Sequence, residues 1–215
     1  MSRNPERDKV AEKKRRARFE EQGFKMFAER GIDGVSLNEV ADAAHAGIAT
    51  LFNYYQNKVN LVVAISGRIW RDFWDEIRTQ IGEDALANMN AYELIQMYSD
   101  QIIRLYKERP EMLRYSANYK TYICRQDVDV EELKPHLDPL APAHKLFHVA
   151  YEKAQEDKSI RTDVPEDVLR TTVAITMLAV AERYAQGIVW TEHNEDTHLP
   201  ELLATQQMLL AWCKG

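Results

Sequence analysis

Along the chain, apolar residues recur at three- and four-residue intervals, and the pattern breaks at Gly, Pro and small clusters of Asp and Asn. That period predicts an all-α fold of about nine helices. The first should run from about Lys9 to Arg30 with Phe19, Met26 and Phe27 inward, behind an arm of residues 1–8 expected to be disordered. Gly31 offers a left-handed C-cap, with Ile32 folding back onto the helix. Gly23 shares the inward face at a cost of ~1 kcal/mol relative to Ala, which marks a close approach, expected from the second or third helix. Ser36 followed by Glu39 forms a capping box, so a helix begins at Leu37 and shows Leu37, Val40, Ala41 and Ala44 on one side. Polarity breaks at His45-Ala46-Gly47, after which Leu51 and Tyr55 resume the inward stripe. From Lys58 to about Ile81 a fourth helix carries Leu61, Val62, Ile65, Ile69 and Phe73, and Gly82 ends it. Further helices are predicted over 90–108, 110–126, 138–158, 165–191 and 198–213.

Composition changes this picture in one respect. The 215 residues are 45% apolar and 29% charged, as expected of a globular helical protein with one small and one larger domain, and the net charge is −6. An acidic sum argues against nucleic acid, but the charge is uneven: residues 1–18 hold eight Lys/Arg against three Asp/Glu, whereas residues 61–215 hold seventeen against twenty-five. A basic end on an acidic body is the distribution a nucleic-acid binder needs, and Lys13, Lys14, Arg15, Arg16 and Arg18 form its footprint. Cys124 and Cys213 lie far apart without metal-ligand spacing, which suits a reducing cytoplasm. No secretory leader and no apolar run of membrane-spanning length is visible, so a soluble protein is expected.

The stretch from Ser36 to Lys58 reads as two short helices around a tight turn, a shape that rests one helix on phosphates and places the other in the major groove. Ala49, Thr50, Asn53 and Tyr54 share the side opposite Leu51 and Tyr55, and such a small, polar surface suits base edges and sugar-phosphate. Phe27-Ala-Glu-Arg-Gly31, Ser36-Leu-Asn-Glu-Val-Ala41 and Thr50-Leu-Phe-Asn-Tyr-Tyr-Gln-Asn-Lys58 together resemble the DNA-binding domain of TetR-type transcriptional regulators. The resemblance covers about the first quarter of the chain. It implies a DNA-binding domain over 1–57 and a helical effector-binding and dimerisation domain over 58–215, joined by the fourth helix. It further implies a homodimeric repressor of a pseudo-palindromic double-stranded DNA operator, released by a small organic effector.

Carried over residue by residue, the resemblance implies phosphate contacts by Ser36, Thr50, Tyr54 and Lys58, and base contacts by Ile48, Ala49 and Asn53. Phe52, Lys14 and Arg18 complete the expected DNA-facing set. Asn53 can pair with adenine and Ile48 or Ala49 can meet a thymine methyl, which points to an A/T-containing half-site. The sequence departs from the family pattern in three places: His45 stands at the turn glycine, Gly47 and Ile48 replace a capping residue and a polar one, and Phe52 replaces Tyr. Ile48 and Phe52 favour the alternative of a helical small-molecule-binding or interaction module without specific DNA binding.

In the C-terminal half, aromatic residues with scattered polar groups suit a mostly apolar pocket: Trp70, Trp74, Met97, Tyr98, Gln101, Tyr115, Tyr119, Tyr122, Phe147, Tyr151 and Tyr184. The 165–191 helix is apolar on nearly all sides through Val173–Ala181, and the last helix repeats this on a smaller scale. Val173, Met177, Val180, Tyr184, Leu202, Leu209 and Leu210 are therefore expected in an intersubunit four-helix interface, as in the family. No catalytic motif stands out, so no enzyme, cofactor or metal is expected. His144 and His148 lie one turn apart with His136 as a conceivable third ligand, but such a pair reads as surface.

Overall fold

The computed structural model describes residues 5–126, 141–187 and 198–214. Among them lie ten helices and no strand: α1 Pro5–Arg30, α2 Leu37–Ala43, α3 Ile48–Tyr55, α4 Lys58–Ile81, α5 Glu83–Asn88, α6 Ala91–Glu108, α7 Pro110–Ile123, α8 Ala141–Asp157, α9 Glu166–Ala185 and α10 Leu199–Lys214. The first helix starts at Pro5, four residues before the expected Lys9 and inside the segment expected to be disordered. Helix α5 was not expected. It buries no residue, so it leaves no apolar period to read. Helix α9 stops at Ala185, short of the expected 191, because Gly187 takes a φ of 68° that ends the helix. Helix α7 stops at Ile123 rather than 126. The expected helix residues 138–140 and 188–191 lie outside the described residues.

Two apolar cores are present. One joins Phe19, Phe27, Val40, Leu51 and Tyr55 of the first three helices to Leu61, Val62 and Ile65 of α4 and to Tyr115, Tyr119 and Tyr122 of α7. The other fills the bundle of α4, α6, α7, α8, α9 and α10 with Trp70, Phe73, Ile95, Leu113, Phe147, Val173 and Met177 among its members. Helices α4 and α7 therefore belong to both. Gly23 shows why α1 and α4 can lie so close: a Cβ there would stand 2.8 Å from Ile65 Cδ1. The close approach is real, but the neighbour is α4, not the second or third helix.

Hydrogen bonds tie these elements together at few points. Tyr55 on α3 donates its hydroxyl to Glu20 at 2.8 Å, and Arg68 on α4 pairs with the same carboxylate at 2.8 Å. One half-buried acid thus holds α1, α3 and α4 in register. Burial beside that carboxylate pushes the Tyr55 phenol well above its ordinary range, so the proton stays on the tyrosine.

Candidate DNA-binding surface and effector cavity

The start of α2 is built by the expected reciprocal cap. Glu39 N–H donates to the Ser36 hydroxyl at 3.2 Å, and Ser36 N–H donates to the Glu39 carboxylate at 2.8 Å. Arg30 reaches the same carboxylate at 2.7 Å and so joins the end of α1 to α2. These donors, the Ser36 N–H foremost and Arg30 next, hold the Glu39 carboxyl down at about 2. The chain then turns at His45 with a φ of 52°, the left-handed conformation that a glycine would take without strain. Gly47 precedes α3 with no side-chain cap, so the first N–H groups of α3 lack a side-chain acceptor.

Around this corner the expected residues divide into two groups. Ser36, Ala49, Asn53, Lys14 and Arg18 are exposed, and Phe52 is 46% exposed. Ile48, Thr50, Tyr54 and Lys58 are half-buried. Tyr54 packs edge-on against Phe19 at 6.1 Å, with the Arg16 guanidinium 5.0 Å from its ring. Arg15 and Arg18 line a small cleft of about 80 Å³ with Ala44, His45 and Ala46, which places the basic face of α1 beside the turn. Lys58 differs from the rest. Its ammonium lies 5.9 Å from the Phe27 ring and 5.7 Å from the Tyr122 ring, and burial pushes its pKa down. Asn57 caps α4 by accepting from Asn60 N–H at 2.8 Å.

A second hollow of about 210 Å³ lies between α4, α6, α7, α8 and α9. Of the eleven residues expected in a pocket, Trp70, Tyr98, Tyr119 and Phe147 line it. The other seven lie elsewhere. Trp74 stacks on Tyr98 at 5.9 Å, and Met97 is core. Tyr115 is fully buried and donates to the Val62 carbonyl at 2.6 Å. Tyr122 sits under Lys58, Tyr151 donates to the Val164 carbonyl at 2.7 Å, and Tyr184 stacks on His198 at 4.8 Å. Gln101 is half-buried, and its Oε1, like Trp74 Nε1, has no hydrogen-bond partner.

Sequence reasoning missed the polar part of the wall, which is Ser66, Ser116, Lys120, His144 and Arg170. The readable signal was a serine inside an otherwise apolar stripe, at Ser66 on α4 and Ser116 on α7. Lys120 pairs with the buried Glu182 at 2.7 Å. Arg170 meets His144 Nε2 at 3.2 Å, which requires that nitrogen to accept; burial and the guanidinium lower the His144 pKa and keep the ring neutral. Tyr119 is buried, its hydroxyl has no partner, and burial raises its pKa.

The expected interface residues need a correction. Val173, Met177 and Leu202 are fully buried in the chain's own core and Leu210 nearly so, while Val180, Tyr184 and Leu209 are half-buried. An apolar run around a helix does not say which side faces its own bundle. The outward apolar side chains are Val168 and Ile175 on α9 and Leu203 and Met208 on α10, with Ile175 54% and Met208 67% exposed. Among the described residues no three His, Cys, Asp or Glu side chains come together as metal ligands would, and His148 instead meets Glu166 at 3.1 Å. His136 lies outside the described residues. Cys213 is buried and its thiol is pushed up to about 11. No helix among the described residues is long and apolar enough to cross a membrane.

Residues 21–65 match the family model for bacterial regulatory proteins of the tetR family. Over 157 residues the chain is 26% identical to the HTH-type transcriptional regulator SAR2658 of Staphylococcus aureus strain MRSA252, covering 73% of this chain and 76% of that one. A TetR family transcription regulator from Marinobacter aquaeolei VT8 has a similar structure, with a TM-score of 0.64 at 20% identity over 96% of this chain and 98% of that one. The transcriptional regulator FadR of Bacillus subtilis, solved in complex with stearoyl-CoA, matches with a TM-score of 0.67 at 14% identity over 91% and 98%. Residues 21–65 are thus similar to the DNA-binding domain of the tetR family of bacterial regulatory proteins, and the chain as a whole shares the fold of that family's solved regulators and resembles HTH-type transcriptional regulators in sequence.

Proposed function

We propose that this chain acts in the cytoplasm as a homodimeric repressor of a pseudo-palindromic operator, and that a small organic molecule in the cavity between α4, α6, α7, α8 and α9 releases it. The observation that carries this reading is the double attachment of α7. Ser116 and Tyr119 on that helix line the cavity. Tyr115, next to Ser116 in the helix, donates to the Val62 carbonyl at 2.6 Å, and Asn118 donates to the Phe27 carbonyl at 2.9 Å. A ligand that displaces α7 therefore pulls on the backbone of α1 and α4 directly. Coupling of ~1–3 kcal/mol between the two sites suffices for a useful switch.

Dimerisation would supply the second half-site, and the outward apolar residues Val168, Leu203 and Met208 of α9 and α10 would form its surface, while the exposed Ile175 lines the cavity. Ala49, Phe52 and Asn53 would enter the major groove, with Lys14, Arg18, Ser36 and Thr50 on phosphates. Lys58, turned toward Phe27 and Tyr122, would act as a support for the start of α4 and reach a phosphate only by swinging out. No catalytic role is assigned to any residue.

The test is fluorescence anisotropy on DNA from the promoter beside the gene, at several salt concentrations. The native chain should bind with a preference for one sequence and weaken steeply with salt. Replacing Asn53, Lys14 and Arg18 together by Ala should cost about tenfold to a hundredfold in affinity without lowering the melting temperature, since all three are exposed. Unchanged binding by that variant would refute the placement of the reading surface. Binding of small molecules with no DNA binding at all would make the chain a ligand-binding module instead.

A further inference from the structure

The cavity itself points to a class of ligand, and this step rests on the effector reading above. Its inner wall is aromatic and aliphatic, from Trp70, Tyr98, Phe147 and Leu178, so the body of the ligand must be apolar. Its charged lining is of one sign. Lys120 and Arg170 contribute to the wall, and no Asp or Glu does. Lys120 is balanced by Glu182 at 2.7 Å. Arg170 is not balanced: its partner is the neutral His144, and no carboxylate of the described residues forms an ion pair with it. An unpaired guanidinium at the wall of an apolar hollow is the standing demand for an anion, and its planar fork matches a carboxylate with two parallel hydrogen bonds.

A second, independent feature agrees. Tyr119 lines the same hollow, and its hydroxyl is buried there without any hydrogen-bond partner. A buried donor without an acceptor is costly, and a ligand oxygen would satisfy it. Size narrows the class further. About 210 Å³ lies below the ~300–1,000 Å³ of sites for drug-sized molecules. One ring or a short branched chain fits; a long acyl chain of the kind carried by the stearoyl-CoA of the Bacillus subtilis protein needs a larger space.

We propose that the cavity binds a small organic acid, with the apolar body against Trp70, Tyr98 and Phe147 and the carboxylate held by Arg170 with the Tyr119 hydroxyl. Three probes test this on the full chain: benzoate, phenylacetate and 3-methylbutanoate, each beside its neutral amide, with binding followed by calorimetry. At least one acid should bind saturably, at least tenfold more tightly than its amide. Arg170→Gln should remove about tenfold or more of that affinity, Arg170→Lys should restore part of it, and Tyr119→Phe should cost a few-fold, none of them lowering the melting temperature. No saturable binding by any acid, equal binding of acid and amide, or an Arg170→Gln variant that binds as the native chain does would overturn the proposal. Anisotropy on the operator separates it from the reading it rests on. Acid-selective, Arg170-dependent binding that leaves operator affinity unchanged would support the site and sink effector release, whereas release by the amides as well as the acids would do the reverse.

Discussion

The helix-turn-helix corner and the C-terminal bundle are made of the same material, amphipathic helices with aromatic inward faces, yet their contacts have different reach. At the corner the contacts that shape the helix ends are local: Ser36 with Glu39, the turn at His45, Asn57 with Asn60, while the packing of α3 on α1 through Tyr55 and Glu20 reaches further. In the bundle they span the chain. Lys120 meets Glu182 sixty-two residues away, and Gln206 meets Ser99 across 107. A local contact leaves its mark in the spacing of residue types, while a distant one depends on which helix becomes the neighbour. The first region can therefore be read from its letters, and the second only from its packing.

The largest effect should come from testing which bundle residues are core and which are surface. Met177→Ala removes a fully buried side chain and should cost ~2–5 kcal/mol in thermal denaturation while leaving the oligomeric state intact. Val168→Glu with Met208→Glu should do the opposite: little loss inside the subunit, but a monomer at micromolar concentration by light scattering. A monomeric Met177→Ala protein, or a double Glu variant that stays dimeric, would show that the two faces are wrongly sorted.

The next effect concerns the link between the regions. Asn118→Ala breaks the grip of α7 on the Phe27 carbonyl and should abolish most of the ~1–3 kcal/mol by which a bound acid weakens operator binding. Operator affinity without ligand should change only a few-fold. If the acid still releases DNA as well as before, α7 does not carry the signal through this bond.

The smallest effect tests the local side. Ser36→Ala should cost ~1 kcal/mol of stability through the lost cap, measurable as a lower melting temperature. Glu39 adds a pH signature. Its folded pKa of about 2 is below the ordinary 4.5, so its contribution is complete above about pH 4.5 and is lost as pH falls toward 2. Glu39→Gln should flatten that part of the acid-denaturation curve, and an unchanged acid limb would show that the capping box carries no linkage.

Legibility followed the same division. The start of α2, the turn at His45 and both ends of α4 stood in the sequence because each depends on residues a turn away. Gly23 was recognised as a point of close approach, but its partner Ile65 lies forty-two positions on, and the sequence could not choose α4 over α2 or α3. In the bundle, Tyr115, Tyr119 and Tyr122 occur within two turns of one helix and look alike as letters. One is bonded to a carbonyl of α4, one faces the cavity, and one lies beneath Lys58. The apolar period placed all three inward without saying into what. Arg170 escaped notice for the converse reason: a charged residue on an amphipathic helix reads as solvated until the wall around it is known.

The bonds from α7 to the N-terminal helices end on main-chain oxygens, those of Phe27 and Val62. A backbone carbonyl is present whatever residue occupies the position. On the function proposed above, the bases that α3 would read could therefore be changed by substitution without rewiring the handle that α7 holds, and the molecule taken up in the bundle could change just as freely. Such an arrangement makes the protein a socket with two exchangeable fittings, in which new targets and new signals can be acquired separately.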